Sequence, residues 1–425
     1  ENVDALQNAA VNESRLGIPL VFARDVIHGY RTIFPVPIGM ASSWSPDLVE
    51  TATRVSAEEA TLAGIRWTFA PMIDISRDAR WGRIAESLGE DPYLSSALAR
   101  AMVRGFQGDD LARQNSMAAT AKHFAAYGAA EGGRDYNTVS MSEQDLREIY
   151  LPPFKAAAEE GAASFMTSFN EVNGVPATGN RFLLQQVLRD EWGYDGMVVS
   201  DWDSTIEMIA HGFARDEKEA AFLSARAGLD MDMTSQSYER HLAELVREER
   251  ISEAQLDEFV RNVLRMKFRL GLFENPHRRP ADDETILSPA HLAMATDAAM
   301  QSMVLLRNEN HVLPLDESRQ TIALIGPMAD APHDQLGTWV FDSHEDDSVT
   351  PLQSLTARLG DRLNYAPGLE ISRTKSRDGF DEALRVAADS DVIVFVGGEE
   401  SILSGEAHSR ADIRLPGAQE ALLLE

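Results

Sequence analysis

Cysteine is absent from all 425 residues, so disulfides, thiolate metal ligands and a cysteine nucleophile are excluded. Long apolar runs are missing as well. No stretch approaches the roughly 20 residues of a membrane helix, and no basic region or apolar signal core stands at Glu1. We therefore predict no membrane partner and find no signal peptide in this chain. The opening segment is helical in pattern, so we expect any leader to have been removed before this numbering begins.

Positive charge is also scarce. Lys and Arg number 39 against 68 Asp and Glu, which gives a net charge of −29 at pH 7. Such a charge repels polyphosphates, so nucleic acid is not expected as a partner, and neutral or cationic ligands are favoured. The chain contains neither an HExxH pair nor a glycine-rich phosphate loop with Lys-Ser/Thr. No metal and no cofactor are therefore predicted.

Short apolar runs alternate with longer helical patterns from Pro19 to about Leu272, which predicts strand-helix units around a parallel sheet. Ser45-Pro46 is typical of a helix start, with a stop at Gly64, and Ser142 and Gly161 bracket a second helix. The predicted strands are Pro19 to Asp25, Trp67 to Asp74, Ala118 to His123, Ser164 to Asn170, Met197 to Asp201 and Leu229 to Met231.

Each of these strands ends in a polar side chain. The strand-end residues are Asp25, Asp74, Lys122, His123, Asn170, Asp201 and Asp230. Parallel strands bring all of these ends to one face, and in a (β/α) barrel that face holds the active site. We therefore predict a (β/α) TIM-type barrel over residues 1–272. An open doubly wound sheet stays the alternative, because its strands also end on one edge.

A second α/β pattern follows a segment rich in Pro, Asp and Arg, which we interpret as a linker over residues 273–289. We predict a helix over 290–307 and strands at Thr321 to Ile325, Leu363 to Ala366 and Val392 to Val396. The chain stops at Glu425, inside a helical pattern, after few strands. Residues 290–425 are thus expected to form the first part of a doubly wound α/β sandwich domain that this chain does not complete.

Carboxylates, cations and indoles at strand ends are typical of a sugar site. Sugar hydroxyls need donors and acceptors, while aromatic faces cover the apolar side of the ring. Cleavage of a glycosidic bond needs two carboxyl groups. Asp201, directly followed by Trp202, is our candidate for the nucleophile; the alternative is that Asp201 only caps a helix. Lys122 leaves open a Schiff-base aldolase, and the whole set leaves open a sugar-binding protein without turnover.

Several short motifs together resemble the β-glucosidases of glycoside hydrolase family 3, and most closely the bacterial periplasmic, broad-specificity type. The resemblance covers essentially the whole chain, and the order and spacing of the motifs make it specific. The motifs are Asp25-Val26-Ile27-His28-Gly29, Trp81-Gly82-Arg83, Lys122-His123-Phe124, Asn173-Gly174-Val175-Pro176, Ser200-Asp201-Trp202 and Ser404-Gly405-Glu406-Ala407-His408-Ser409-Arg410.

The resemblance implies roles for individual residues. Asp201 matches the nucleophile that attacks the anomeric carbon. Glu406 matches the acid/base of the second domain, with Glu399 and Glu400 as rival assignments. The mechanism requires Glu406 to hold its proton where Asp201 is ionised, and a retaining enzyme keeps the two carboxyl groups roughly 5 to 5.5 Å apart.

The remaining matches concern sugar binding. The residues implied to contact the sugar are Asp25, Arg83, Lys122, His123, Arg134, Met166, Phe169, Trp202 and Trp339. Trp202 and Trp339 match opposite walls of the leaving-group subsite. Arg83 has a simpler interpretation, an ion pair with Asp74, Glu86 or Asp78. Phe169 departs from the family, because some members have a hydrogen-bonding tyrosine there.

The activity implied by the resemblance is a retaining exo-β-glucosidase that forms a covalent intermediate. Terminal β-glucosyl residues of β-glucosides and cello-oligosaccharides would be its small-molecule substrates. The alternative within the family is a β-xylosidase or an enzyme of dual specificity. N-acetylhexosaminidase activity is disfavoured, because Lys122-His123-Phe124 lacks the Pro-Gly continuation of the amino-sugar enzymes. The resemblance further implies a periplasmic or secreted protein, and a homodimer stays open.

Overall fold

In a computed structural model that describes residues 2–279, 284–316 and 320–425, the N-terminal region contains a parallel sheet made of a two-stranded and a three-stranded group joined by isolated bridges, and a separate antiparallel pair of strands. A π-helix, Phe182–Glu191, precedes the last of these strands. The α-helices and strands of the region are α1 (Asn2–Asn8), β1 (Ala23–Arg24), α2 (Pro37–Ala41), α3 (Pro46–Leu62), β2 (Trp67–Thr68), α4 (Pro92–Gln107), β3 (Thr120–Phe124), α5 (Glu143–Asp145), α6 (Pro152–Glu159), β4 (Ser164–Thr167), β5 (Glu171–Val172), β6 (Val175–Pro176), β7 (Met197–Val199), α7 (Ser204–Glu207), α8 (Glu217–Ala227), α9 (Ser237–Arg247) and α10 (Glu253–Arg269).

The order of the strands in space follows their order in the chain. β1 pairs with β2, a bridge from Trp67 to Ala118 leads on to β3, and β3 pairs with β4, which pairs with β7. A bridge from Val199 to Met231 adds the last predicted strand, reduced to a single residue. A doubly wound sheet reverses its order at a switch point, and this sheet does not. The barrel prediction is therefore confirmed against the open sheet.

Helix boundaries follow the signals in the sequence. The Ser45 hydroxyl accepts a hydrogen bond from the amide of Leu48 at 3.3 Å, and Pro46 occupies the first turn of α3. After α3 ends, Gly64 has a φ of +90°, a conformation that a side chain would strain. These caps fix where each helix leaves the sheet, and therefore which residues stand at the strand ends.

The C-terminal region contains a second parallel sheet. Its strands β8 (Ile322–Ile325), β9 (Leu363–Ala366) and β10 (Val392–Phe395) lie in the order β10, β8, β9, so β9 is added on one side of β8 and β10 on the other, and the order of winding reverses. Such a reversal is the switch point of a doubly wound sheet, and the predicted fold of this region is confirmed. The elements are α11 (Pro289–Ser302), β8 (Ile322–Ile325), α12 (Pro332–Leu336), α13 (Pro351–Leu359), β9 (Leu363–Ala366), α14 (Phe380–Ala388), β10 (Val392–Phe395) and α15 (Gln419–Leu424).

The predicted helix over 290–307 is too long. Helix α11 ends at Ser302, and Met303 already has extended backbone angles. Residues 303–306 are apolar at four consecutive positions, a pattern that suits an extended segment better than one face of a helix. Their side chains are between 61% and 91% exposed, so nothing in the described chain covers this run.

The linker predicted over 273–289 lies between the end of α10 at Arg269 and the start of α11 at Pro289. Residues 280–283 of this linker lie outside the described residues. Elsewhere in the described chain, no helix is both long enough and apolar enough to cross a membrane.

Candidate active site

A cavity of about 360 Å³ lies at the carboxyl ends of the barrel strands, beneath loops of the second sheet. It brings together Asp25, Arg83, Lys122, Met166, Phe169, Asp201, Trp202, Trp339 and Glu406, all of which the sequence singled out. The sequence missed five further lining residues, which are Phe69, Tyr136, Asp203, Glu207 and Met233. A larger hollow of about 740 Å³ beside α3 and α4 contains surface ion pairs rather than strand ends, so it does not compete as the site.

Asp201 stands two residues beyond β7 and is buried. Its Oδ1 accepts the amide hydrogen of Trp202 at 2.7 Å, whereas its Oδ2 has no hydrogen-bond partner within the described chain. Burial raises the pKa of Asp201 to about 7, although Arg83 and Lys122 pull it down. The helix-cap alternative is wrong, because α7 begins at Ser204 and its cap position is Asp203.

Asp74 and His123 form a buried, hydrogen-bonded pair next to Asp201. The carboxylate of Asp74 accepts hydrogen bonds from the backbone amide of His123 at 2.9 Å and from its Nδ1 at 2.8 Å. The Nε2 of His123 then lies 3.4 Å from Oδ2 of Asp201. Burial lowers the pKa of His123 well below its usual value, and Arg83 and Lys122 act in the same direction. His123 therefore faces the candidate nucleophile as a neutral ring, with the orientation of that ring set by Asp74.

Lys122 and Asp25 form an ion pair at the cavity wall, with 2.8 Å between Nζ and Oδ1. The Lys122 ammonium also lies 5.3 Å from the centre of the Trp339 ring. Because Nζ of Lys122 is bonded to Asp25, the geometry argues against the Schiff-base alternative, in which this nitrogen would have to attack a carbonyl group. The pair instead presents a donor and an acceptor side by side, as neighbouring sugar hydroxyls require.

Arg83 forms an ion pair with Glu86 and also lines the cavity, so both interpretations of this residue from the sequence apply. Its guanidinium donates two hydrogen bonds to the buried Glu86, at 2.8 and 3.1 Å, which is the ion pair of the simpler interpretation. Its Nη1 has no hydrogen-bond partner in the described part of the chain and lies 3.8 Å from Oε2 of Glu406. One edge of Arg83 is thus anchored while the other remains available to a ligand.

Glu406 and Trp339 reach the cavity from the second sheet. Trp339 lies between α12 and α13, in the segment that connects β8 to β9, and Glu406 lies in the segment that follows β10. Strands β8 and β10 flank the switch point, where loops at the carboxyl ends separate and leave a crevice. The sheet thus directs both residues toward the barrel from one place.

The two rival acids are bonded elsewhere. The carboxylate of Glu399 accepts a hydrogen bond from Arg410, and the buried Glu400 accepts hydrogen bonds from Ser372 at 2.7 Å and Arg373 at 2.9 Å. Neither residue lines the cavity. Among the three candidates, this geometry favours Glu406.

The Glu406 loop sits directly on the barrel. The amide of Gly405 donates to the carbonyl oxygen of Gly82 at 2.8 Å, and the amide of Arg410 donates to the carbonyl oxygen of Arg80 at 2.7 Å. A Cβ atom on Gly82 would overlap the carbonyl oxygen of His408. Only glycine therefore permits this approach.

Arg134 does not lie where the family resemblance implied, whereas Phe169 lines the cavity beside Tyr136. The Phe169 ring packs edge-on against Tyr136 with 5.0 Å between ring centres, and the Tyr136 hydroxyl donates to Oε1 of Glu406 at 2.6 Å. Arg134 is exposed, donates to the carbonyl oxygen of Glu131 and does not line the cavity. Because Gly132 and Gly133 have positive φ, the loop turns Arg134 outward, and Tyr136 is the residue that enters the site.

The other missed residues left weaker signals. Asp203 and Glu207 follow the candidate nucleophile closely in sequence, and burial raises the pKa of Glu207. Phe69 lies inside the predicted strand from Trp67 to Asp74, and Met233 lies two residues beyond the bridge at Met231, so position relative to the strands is the signal for both. Within the described ranges, no group of three or more His, Asp or Glu residues could hold a metal ion.

A barrel with a buried carboxylate at a strand end, a second carboxylate above it and paired polar groups around the cavity defines the class of carbohydrate-active barrel proteins. Family models agree. Residues 1–266 match the glycosyl hydrolase family 3 N-terminal domain, and residues 303–425 match the glycosyl hydrolase family 3 C-terminal domain. The chain belongs to glycosyl hydrolase family 3.

Curated relatives extend this comparison. A periplasmic beta-glucosidase of Salmonella typhimurium is 40% identical over 450 residues, which cover 100% of this chain and 59% of the relative. A beta-xylosidase of Formosa agariphila is 35% identical, covering 98% of this chain and 61% of the relative. The chain thus spans about three fifths of the length of these relatives.

Solved structures show the same fold. A beta-glucosidase from Listeria innocua in complex with glucose is 43% identical with a TM-score of 0.94, covering 99% of this chain and 58% of that one. The same enzyme in complex with isofagomine gives a TM-score of 0.96, with 99% and 59% covered. The fold of a barrel followed by a doubly wound domain is thereby confirmed over nearly the whole chain.

Proposed function

We propose that the protein is a retaining exo-β-glucosidase that removes terminal β-D-glucosyl residues from oligosaccharides and glycosides. The observation that carries the proposal is the unpartnered, buried Oδ2 of Asp201, in a cavity that Glu406 also lines. A retaining glycosidase needs one carboxylate to attack and one carboxylic acid to protonate the departing oxygen. The likeness to beta-glucosidases from Salmonella typhimurium and Listeria innocua supports glucose as the sugar.

The proposed reaction has two displacements. Oδ2 of Asp201 attacks the anomeric carbon while the bond from that carbon to the leaving oxygen breaks, and Glu406 donates a proton to that oxygen. Water then attacks the glycosyl ester, gives a proton to the Glu406 carboxylate and releases the sugar and Asp201. Asp25, Lys122 and the free edge of Arg83 bind ring hydroxyls, and His123, whose ring is oriented by Asp74, lies beside the attacking carboxylate.

The substrate-binding roles extend to the apolar walls of the cavity. Met166 and Phe169 line the inner wall, while Trp202 and Trp339 flank the site of the leaving group. Trp202 is 62% exposed, which suits a residue at an entrance. An aglycone would lie against these indoles through its apolar faces.

The experiment measures hydrolysis of aryl β-glucoside, β-xyloside and N-acetyl-β-glucosaminide by the purified protein and by Asp201→Asn. We expect glucoside hydrolysis that falls at least about 10³-fold in the variant, because amide oxygen does not form the glycosyl ester. Retention is read from the anomer that forms first. Near-normal hydrolysis by Asp201→Asn would remove the nucleophile assignment.

A β-xylosidase or dual-specificity enzyme is the second candidate, supported by the likeness to the beta-xylosidase of Formosa agariphila. The two candidates differ in whether the site accommodates the hydroxymethyl group of glucose, so the ratio of kcat/KM for glucoside and xyloside decides between them. Binding without turnover of either substrate would point to a sugar-binding protein.

The arrangement of domains and the location of the protein are also proposals. We propose a catalytic barrel over residues 1–272, a linker over 273–289 and a sandwich domain from residue 290, supported by the ends of α10 and α11. A periplasmic location is supported by the likeness to the periplasmic beta-glucosidase of Salmonella typhimurium. A homodimer stays a prediction that sedimentation analysis tests.

A further inference from the structure

The candidate acid Glu406 is oriented by the barrel rather than by its own loop. Its side chain is 28% exposed, and its Oε1 accepts the hydroxyl hydrogen of Tyr136 at 2.6 Å. Its Oε2 lies 3.8 Å from the unpartnered Nη1 of Arg83. The two carboxyl oxygens are therefore not equivalent, because Oε1 accepts a hydrogen bond from Tyr136 whereas Oε2 lies beside the guanidinium of Arg83.

Two contacts fix the position of Tyr136 beside Glu406. Its ring packs edge-on against Phe169, and its backbone amide donates to Oδ1 of Asp135 at 3.2 Å. Burial raises the pKa of Tyr136, and the hydrogen bond to Glu406 acts in the same direction, so the hydroxyl keeps its proton and donates. A hydroxyl that always donates to Oε1 leaves Oε2 as the oxygen that can carry the exchangeable proton.

Asp135 forms hydrogen bonds with the loop that contains Glu406. This buried carboxylate accepts the indole hydrogen of Trp81 at 2.8 Å on Oδ1 and the amide hydrogen of Ala407 at 2.7 Å on Oδ2. The amide of Asp135 donates to the hydroxyl of Ser409 at 2.9 Å. Ala407 has a φ of +61°, a conformation that costs free energy and persists only where neighbours impose it. One barrel residue thus bonds the backbone of Ala407 and the side chain of Ser409, both shortly after Glu406.

We propose that Asp135 and Tyr136 are positioning residues for the acid/base: Asp135 fixes the loop to the barrel, and Tyr136 selects Oε2 of Glu406 as the oxygen that exchanges the proton. This proposal rests on the proposed function. In the first displacement the proton on Oε2 moves to the departing oxygen as that oxygen leaves the anomeric carbon. In the second, a water proton returns to Oε2 as the glycosyl ester breaks.

The test uses Tyr136→Phe and a series of β-glucosides whose leaving groups differ in their need for a proton. A 2,4-dinitrophenolate departs without protonation, whereas phenolate or an alkoxide needs the acid. We expect kcat/KM for the dinitrophenyl glucoside to stay within about threefold, and kcat/KM for phenyl and methyl glucosides to fall about ten- to a hundredfold. kcat for the dinitrophenyl glucoside should also fall, because the same oxygen must deprotonate water.

Tyr194→Phe is the matched control. Its hydroxyl is also buried in the barrel, but it donates to the carbonyl oxygen of Ala162 and does not reach the cavity. We expect this variant to lose stability without any dependence on the leaving group. A Tyr136→Phe protein with equal losses on every glucoside would overturn the proposal, as would one with no loss on any.

Asp135→Asn provides a second, independent test of the positioning proposal. Asparagine keeps the size of the side chain but puts a donor where Trp81 or Ala407 already donates, so the loop should shift. The dependence on the leaving group should resemble that of Glu406→Ala, with the fold checked by circular dichroism. If Glu406→Ala itself shows no such dependence, the proposed acid/base assignment fails. If Glu406→Ala shows it and both Asp135→Asn and Tyr136→Phe do not, only the positioning proposal fails.

Discussion

The two halves of the site are built differently. On the barrel side, each of three charged or polar groups has a partner within the barrel, in the pairs Asp25 with Lys122, Arg83 with Glu86 and His123 with Asp74. On the second-sheet side, Glu406 and Trp339 stand on loops, and the groups that hold them belong to the barrel. The barrel side of the cavity is therefore held by contacts within the barrel itself, whereas the position of Glu406 depends on contacts between its loop and the barrel.

The largest effect we expect on the barrel side comes from Lys122→Met. The variant loses a buried ammonium and leaves Asp25 unpaired, so kcat/KM should fall about a hundredfold or more for every glucoside, whatever its leaving group. Steady-state kinetics over a series of leaving groups measures this. Lys155→Met, on the exposed face of α6, is the matched control and should change little. A loss confined to poor leaving groups would break the distinction between the two halves.

A smaller effect should follow Trp339→Ala on the second-sheet side. The indole lies near the cations of Arg83 and Lys122, so its removal should weaken binding of the aglycone and raise KM about tenfold while kcat changes less. Inhibition by glucose, which occupies no leaving-group subsite, should change little. Trp44→Ala, at an exposed indole distant from the cavity, serves as the control. A fall in kcat alone would instead assign Trp339 to the chemical step.

The smallest effect concerns stability. Because burial raises the pKa of Asp201 from 3.8 to about 7, the folded state binds a proton that the unfolded state releases, and stability falls as pH rises through this range. Asp201→Asn cannot ionise, so it should raise Tm by roughly 2 °C or more at pH 8, and by progressively less toward pH 4. Asp195→Asn, on the barrel surface, removes the same charge and should give no gain. A lower Tm for Asp201→Asn at pH 8 would contradict this account.

The barrel half was largely predictable from the sequence because it depends on local order. Apolar runs that end in Asp25, Lys122 or Asp201 indicate one face of a parallel sheet without knowledge of any contact. The same pattern also selected Asp230, which the structure instead bonds to Arg189, Asn262 and the amide of Val198, away from the cavity. The end of a predicted strand indicates the backbone position of a residue, but it does not indicate which residues its side chain contacts.

The second half depended on contacts between distant segments. Glu406 was selected through the family motif, because it is one acid among several in its loop. Arg134 was implied in the same way, but the loop turns it outward and places Tyr136 in the site. Residues 135 and 407 lie 272 positions apart, and no local pattern in either segment indicates the hydrogen bond that joins them.

The absence of a side chain at Gly82 determines how closely the Glu406 loop can approach the barrel. With any side chain at that position, the carbonyl oxygen of His408 would have to retreat, and the whole Glu406 loop with it. Such a protein would retain its pocket and could still hold a sugar, yet the proton donor would stand too far away to serve it. Under the proposed function, a side chain at position 82 would therefore impair acid/base catalysis while every catalytic and binding side chain stays unchanged.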